Sequence, residues 1–134
     1  MKAIKAQFKL NGYRVVNTAI SIAPEITHPE ALELHFDVNG VEPPEQIGKY
    51  TLTVTTTIKD RDGGININLT IVGDFEYDKT MPRDLVERLF VVNGPVILFP
   101  YIRAYVASVT ALSGIAPINI PTINFAQTSQ KSED

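Results

Sequence analysis

The chain has no cysteine, no tryptophan, only two histidines and almost no charge in its last third. Without cysteine there is no disulfide framework, no thiolate nucleophile and no cysteine-based zinc site. Such a chain suits the cytoplasm, where disulfides rarely persist, and a cytoplasmic protein is expected. A basic footprint is also missing: net charge is −3, and Lys and Arg are spread thinly. A phosphate backbone needs a basic surface, so nucleic acid is not an expected partner. Nor is there a long hydrophobic run. The apolar stretch 89–102 is interrupted by Gly94, Pro95 and Pro100, and a membrane span needs about 20 largely apolar residues. Lys2, Lys5 and Lys9 break up the first ten residues, which therefore lack the apolar region of a signal peptide. No phosphate-cradling Gly-rich loop, G-x-S-x-G elbow or H-E-x-x-H helix occurs. An enzyme is not expected, and no catalytic residue, metal ligand or cofactor is assigned.

At 134 residues the chain fits one domain. Its charge is placed unevenly: residues 1–88 hold 23 of 27 charged side chains, and between Leu89 and Gln130 the only one is Arg103. A surface helix normally presents charge on its outer face. A small monomer has little room to bury such a stretch on both sides, so the surplus apolar surface predicts a partner.

The first half alternates with period two, the mark of half-buried strands. Leu32, Leu34, Phe36 and Val38 point one way, with Glu33, His35, Asp37 and Asn39 opposite. Leu52, Val54, Thr56 and Ile58 alternate with Thr51, Thr53, Thr55 and Thr57, a β-branched run suited to a pleated surface. Asp60-Arg61-Asp62-Gly63-Gly64 reads as a hairpin turn, after which Ile65, Ile67, Leu69 and Ile71 return. Asn11-Gly12 marks a bulge in a long first strand that Ala23-Pro24 ends, and Gly73 marks a register shift in the fourth. The period then lengthens: Leu85, Val86, Leu89 and Phe90 recur at helical spacing. A second helix is predicted from an Asn93 N-cap to Gly114, kinked or delayed by Pro100. Pro117 and Pro121, interleaved with isoleucines, imply extended backbone without regular pairing. The expected fold class is α+β: a four-stranded antiparallel sheet, two helices and an extended crossover. Residues 1–125 form the domain, and 126–134 a polar tail expected to be disordered.

Two constellations invite a chemical reading. Glu33, His35 and Asp37 share a strand face, but alternate residues stand about 7 Å apart and no further ligand is evident. Asp60-x-Asp62-Gly63 begins like a calcium loop, yet Gly64 and Ile71 occupy the positions where an oxygen ligand and a glutamate are required. A solvated strand face and a turn account for them. What remains is Leu89–Phe125, for which an oligomer interface and a peptide-binding groove both fit the residues.

Within that stretch, Ile97-Leu98-Phe99-Pro100-Tyr101-x-Arg103 is followed by Asn119-Ile120-x-x-x-Asn124-Phe125. This pair of motifs resembles the SecB family of bacterial export chaperones over about 30 residues, while residues 1–80 match in pattern and order. The resemblance implies a sheet backed by helices, assembled as a homotetrameric dimer of dimers that holds unfolded preproteins without ATP. Many family members deliver clients to the motor SecA; some SecB-like proteins instead protect an antitoxin, which makes a dedicated chaperone or an adaptor without export role the alternative. It also implies an assembly interface from Tyr101, Tyr105, Ser108 and Val109 with Ile67, Leu69 and Ile71. The implied client groove comprises Leu34, Phe36, Ile118, Ile120, Ile123 and Phe125. Two features depart from the family pattern. Ala126-Gln127-Thr128-Ser129-Gln130 stands where a further helix is expected, and Ile22 stands where an acidic residue helps dock SecA.

Overall fold

The computed structural model describes residues 8–123. Phe125 and the polar tail lie outside the described residues. Four strands, β1 (Phe8–Ile22), β2 (Leu32–Val41), β3 (Lys49–Asp60) and β4 (Ile65–Tyr77), precede a short helix α1 (Arg83–Arg88) and a long helix α2 (Gly94–Leu112). The sheet is antiparallel throughout, in the order β1-β4-β3-β2. The strand that returns from the 60–64 turn pairs with both β3 and β1, so β3 and β4 are central and β1 and β2 are edges.

The turn forms as its residues demand. Gly63 takes the left-handed conformation (φ 76°). Asp60 accepts the Ile65 N–H on its side chain and the Gly63 N–H on its backbone carbonyl. Asn11-Gly12 does shift the β1 register, and a second irregularity follows between Val15 and Asn17. Gly73 does not shift the β3–β4 register, which runs unbroken through it. Its reason is packing: a Cβ there would come within 2.9 Å of the Leu98 side chain. Gly94 meets Leu52 at the same distance. These two positions let α2 lie close on the central strands.

The helices are not separated by a cap. Asn93 is helical itself (φ −74°, ψ −34°) and makes no side-chain cap bond. A π-helical segment, Leu89–Asn93, joins α1 to α2, with the Gly94 N–H reaching back to the Leu89 carbonyl. Pro95 has no N–H to continue the ordinary ladder, which a wider turn accommodates. Pro100 neither delays nor ends α2 and sits on its exposed side. Residues 83–112 are long and apolar enough to cross a membrane by length and composition. Their inner face, however, makes the core: Leu98, Ile102 and Val106 pack with Leu52, Val54, Ile58, Ile67, Leu69 and Ile71. Each fully buried aliphatic side chain contributes about 1.5–3 kcal/mol.

A smaller cluster of Tyr77, Met81, Val86 and Phe90 closes one end of the sheet. Tyr50 stacks on Phe90, ring centroids 3.3 Å apart, and crosses the space over Gly40 that a Cβ would fill. Tyr77 donates its hydroxyl proton to Glu42, and Arg83 pairs with the same carboxylate at 2.7 Å. The Arg83 bond, then that of Tyr77, holds the Glu42 carboxyl below its ordinary range.

Among the described residues, one buried side-chain hydroxyl is unsatisfied. Thr56 is buried on β3 and its hydroxyl has no hydrogen-bond partner. A buried orphan hydroxyl costs about 1–3 kcal/mol. Thr56→Val is expected to raise stability by about 1 kcal/mol, read as a higher urea midpoint with unchanged slope; a lower midpoint would show that the hydroxyl is satisfied.

Candidate functional site

Residues 115–123 run extended from the end of α2 across the flank of the core. Gly114 (φ 90°) turns the chain out of the helix. Two contacts then fix the crossover. The Thr110 hydroxyl accepts the Ile118 N–H at 3.0 Å while donating to the Val106 carbonyl at 2.7 Å. The Ala116 N–H bonds the Thr27 carbonyl, tying the crossover to the β1–β2 loop. Isoleucines alternate inward from there: Ile118 is 4% exposed and Ile120 1%.

Ile118 and Ile120, expected in the client groove, are members of this chain's own core. The prolines made the segment look loosely packed, but a hydroxyl eight residues upstream supplies the bond that extended backbone lacks. Leu34, Phe36 and Ile123 are half-buried and pack against the edge of the same core. The Phe36 ring meets Phe99 edge-on, centroids 6.0 Å apart. Val38 continues the same face of β2 as an exposed apolar side chain. With Leu34 and Phe36 it makes an apolar ledge along β2, floored by Phe99. Val38 and Phe99 were not among the expected site residues. The alternation of β2 contains Val38, and continuing that pattern to the end of the strand would have added it.

The expected assembly surface divides similarly. Ile67, Leu69 and Ile71 are at most 1% exposed, because the inner face of β4 is the one beneath α2. Their strand is central, so alternation identified the apolar face correctly but not what covers it. On α2, Tyr101 is 40% exposed, Ser108 is exposed, and Tyr105 and Val109 are half-buried. Tyr101 packs on Tyr13 of β1 (centroids 4.3 Å), and the Tyr105 hydroxyl hydrogen-bonds Thr18 at 2.9 Å. With exposed Val16 and Val96, the β1 edge and outer face of α2 form a second weakly polar surface.

Several charges on the opposite face of the sheet are paired. Glu76 sits between Lys9 and Lys49, and Arg14 pairs with Asp74 at 3.2 Å. Lys49, by hydrogen bond and charge, holds the Glu76 carboxyl below its ordinary value. Beyond these pairs along the central strands lie Thr53, Thr55, Thr57, Asn68 and Thr70. No group of three or more His, Asp or Glu suited to a metal occurs among the described residues.

A sheet in the order β1-β4-β3-β2, crossed by one long helix that ends in an apolar crossover, is the SecB-like chaperone fold. A solved structure of a SecB-like chaperone from Mycobacterium tuberculosis, in complex with a peptide from an antitoxin, superposes with a TM-score of 0.71, covering 87% of this chain and 90% of that one at 15% identity. The sequence agrees: the family model described as preprotein translocase subunit SecB matches residues 15–133. The chain belongs to the SecB family. Among curated relatives named protein-export protein SecB, that of Anaplasma phagocytophilum is 33% identical over 45% of this chain and 38% of its own length. That of Albidiferax ferrireducens is 26% identical over 70% and 61%, and that of Neorickettsia sennetsu 24% over 79% and 70%. The chain thus spans about two-fifths to seven-tenths of these relatives. Members of the family are chaperones rather than enzymes.

The burial of Ile120 yields a direct check. Ile120→Asp places a carboxylate in the core, and is expected to lower stability by about 3 kcal/mol or more. A chemical denaturation midpoint equal to that of the parent would return Ile120 to the surface.

Proposed function

We propose that the protein is an ATP-independent holding chaperone that keeps unfolded or aggregation-prone polypeptide soluble on the β2 ledge. The observation that carries this reading is the row Leu34, Phe36, Val38 along an edge strand, grading from half-buried to exposed beside Phe99 and Ile123. Such a row binds by apolar area and makes little demand on sequence. In this reading Leu34, Phe36, Ile123 and Phe125 touch the client, and no cofactor or catalytic group takes part. The protein works in the cytoplasm, where unfolded preproteins are its clients.

A second reading has its own support: dedication to one partner, such as an antitoxin. The SecB-like chaperone of the same fold is bound to an antitoxin peptide. Docking on SecA is left out of both readings, because Ile22 ends β1 where an acid is expected and the outer sheet face carries paired charges. We further propose a dimer of dimers, built on Tyr101, Tyr105, Ser108 and Val109 together with the β1 edge.

Light scattering of a chemically unfolded test protein separates the two readings. General protection near stoichiometric ratio is expected, and Val38→Glu should remove at least half of it while leaving the fold intact. Scattering unchanged at severalfold excess of the chaperone would sink the general reading, and protection of a single partner would favour the second. For assembly, Tyr105→Glu is expected to reduce the solution mass by half in multi-angle scattering; an unaltered mass removes Tyr105 from the interface.

A further inference from the structure

β2 is an edge of the sheet, on the side opposite the β1 surface proposed for assembly. One bond sets the direction of its backbone groups. The Tyr77 N–H donates to the Gly48 carbonyl at 2.9 Å, one step beyond the Lys49–Glu76 pair. Opposed residues of an antiparallel pair are alternately hydrogen-bonded and not. Counted from Gly48, the even-numbered residues of β3 therefore bond β4, and the odd-numbered ones bond β2. The same alternation turns the Ile65 N–H toward β3, where the Asp60 side chain accepts it. On β2 the residues bonded to β3 are thus the odd-numbered ones, Glu33 to Val41. Leu34, Val38 and Gly40 turn their N–H and C=O groups to the open side, where among the described residues nothing pairs with them.

Leu34 and Val38 are also residues whose side chains form the ledge, so one approaching chain meets backbone groups and apolar surface together. β2 has none of the devices that protect an edge: it runs for ten residues in unbroken register with β3, without a proline, lysine or arginine. The other edge, β1, has two register irregularities, each of which bends the strand and interrupts its pairing. Only extended backbone can answer the β2 row, because a helix uses its own N–H and C=O groups internally.

We propose that the ledge takes its client by strand addition: an extended segment of unfolded polypeptide docks as a fifth strand on β2, bonds the outward groups of Leu34, Val38 and Gly40, and lays alternate side chains beside Phe36 and Phe99. The inference rests on the holding reading and deepens it by naming the form in which a client is held. Main-chain groups are common to all sequences, so ladder bonds add affinity without requiring a motif, while the apolar row favours alternate apolar side chains. Segments that are helical, or interrupted by proline at a bonding position, are left unbound.

The test uses the full-length protein and a short fluorescent peptide in which leucine alternates with serine. Two further peptides carry backbone N-methyl groups, one on every leucine and the other on every serine, with side chains unchanged. Alternate N–H groups of an added strand face its neighbour, so anisotropy titrations are expected to show about tenfold weaker binding for one methylated peptide and less than about twofold for the other. Amide exchange at Leu34 and Val38, fast in the free protein, should slow by about tenfold or more with the unmethylated peptide bound, whereas His35 and Asp37, bonded to β3, are slow throughout. Equal losses from both methylated peptides, or no loss from either, overturn strand addition and leave the holding reading standing. Slow exchange of Leu34 and Val38 in the free protein would show an edge already paired, by a second copy or otherwise, and overturns it as well. Failure of the unmethylated peptide to bind overturns the holding reading too.

Discussion

Everything in this fold depends on one helix having to cover a four-stranded sheet. Strands lie about 4.8 Å apart, so four of them present a face roughly 15–19 Å wide. A helix with its side chains is about 10–12 Å across. α2 therefore covers the central strands, and Gly73 and Gly94 let it sit low enough to do so tightly. Both flanks remain. The crossover fills part of the β2 side with Ile118 and Ile120, leaving Leu34, Phe36 and Val38 half-covered. On the β1 side Tyr101 and Tyr105 reach down to Tyr13 and Thr18, and little else does. The two incompletely covered flanks are the two surfaces available for work.

That geometry also explains what could be read from the residues and what could not. Period-two alternation placed all four strands, the Asp60–Gly64 turn and the Asn11-Gly12 bulge, because each is a local consequence of side-chain direction and backbone freedom. It named the apolar face of β4 correctly through Ile67, Leu69 and Ile71. Alternation cannot say whether such a face meets the chain's own helix or another chain; that depends on strand order, which puts β4 in the centre. The crossover misled for a related reason. Pro117 and Pro121 do exclude regular pairing, but the Ile118 N–H finds Thr110, a partner visible only once the helix end has folded back. Asn93 suits an N-cap by residue type, with Pro95 placed in the first turn after it. A π-helical turn instead carries the chain through without a break.

The charge distribution, the strongest signal in the sequence, turns out to have two causes. Inner-face residues of α2 and the isoleucines of the crossover are uncharged because they are core. Pro100, Tyr101, Ala104 and Ser108 are uncharged although they face outward, and core packing does not account for them. On the sheet's outer face charges are present and several of them are paired, as in Lys9–Glu76–Lys49. A partner approaching there meets threonines, asparagines and compensated ions rather than a field of one sign.

A holding protein faces two opposing requirements, affinity for many apolar segments and some preference among them. Apolar area cannot supply preference, since one methylene more or less changes binding only modestly. Preference needs a polar group that is penalised when its complement is missing.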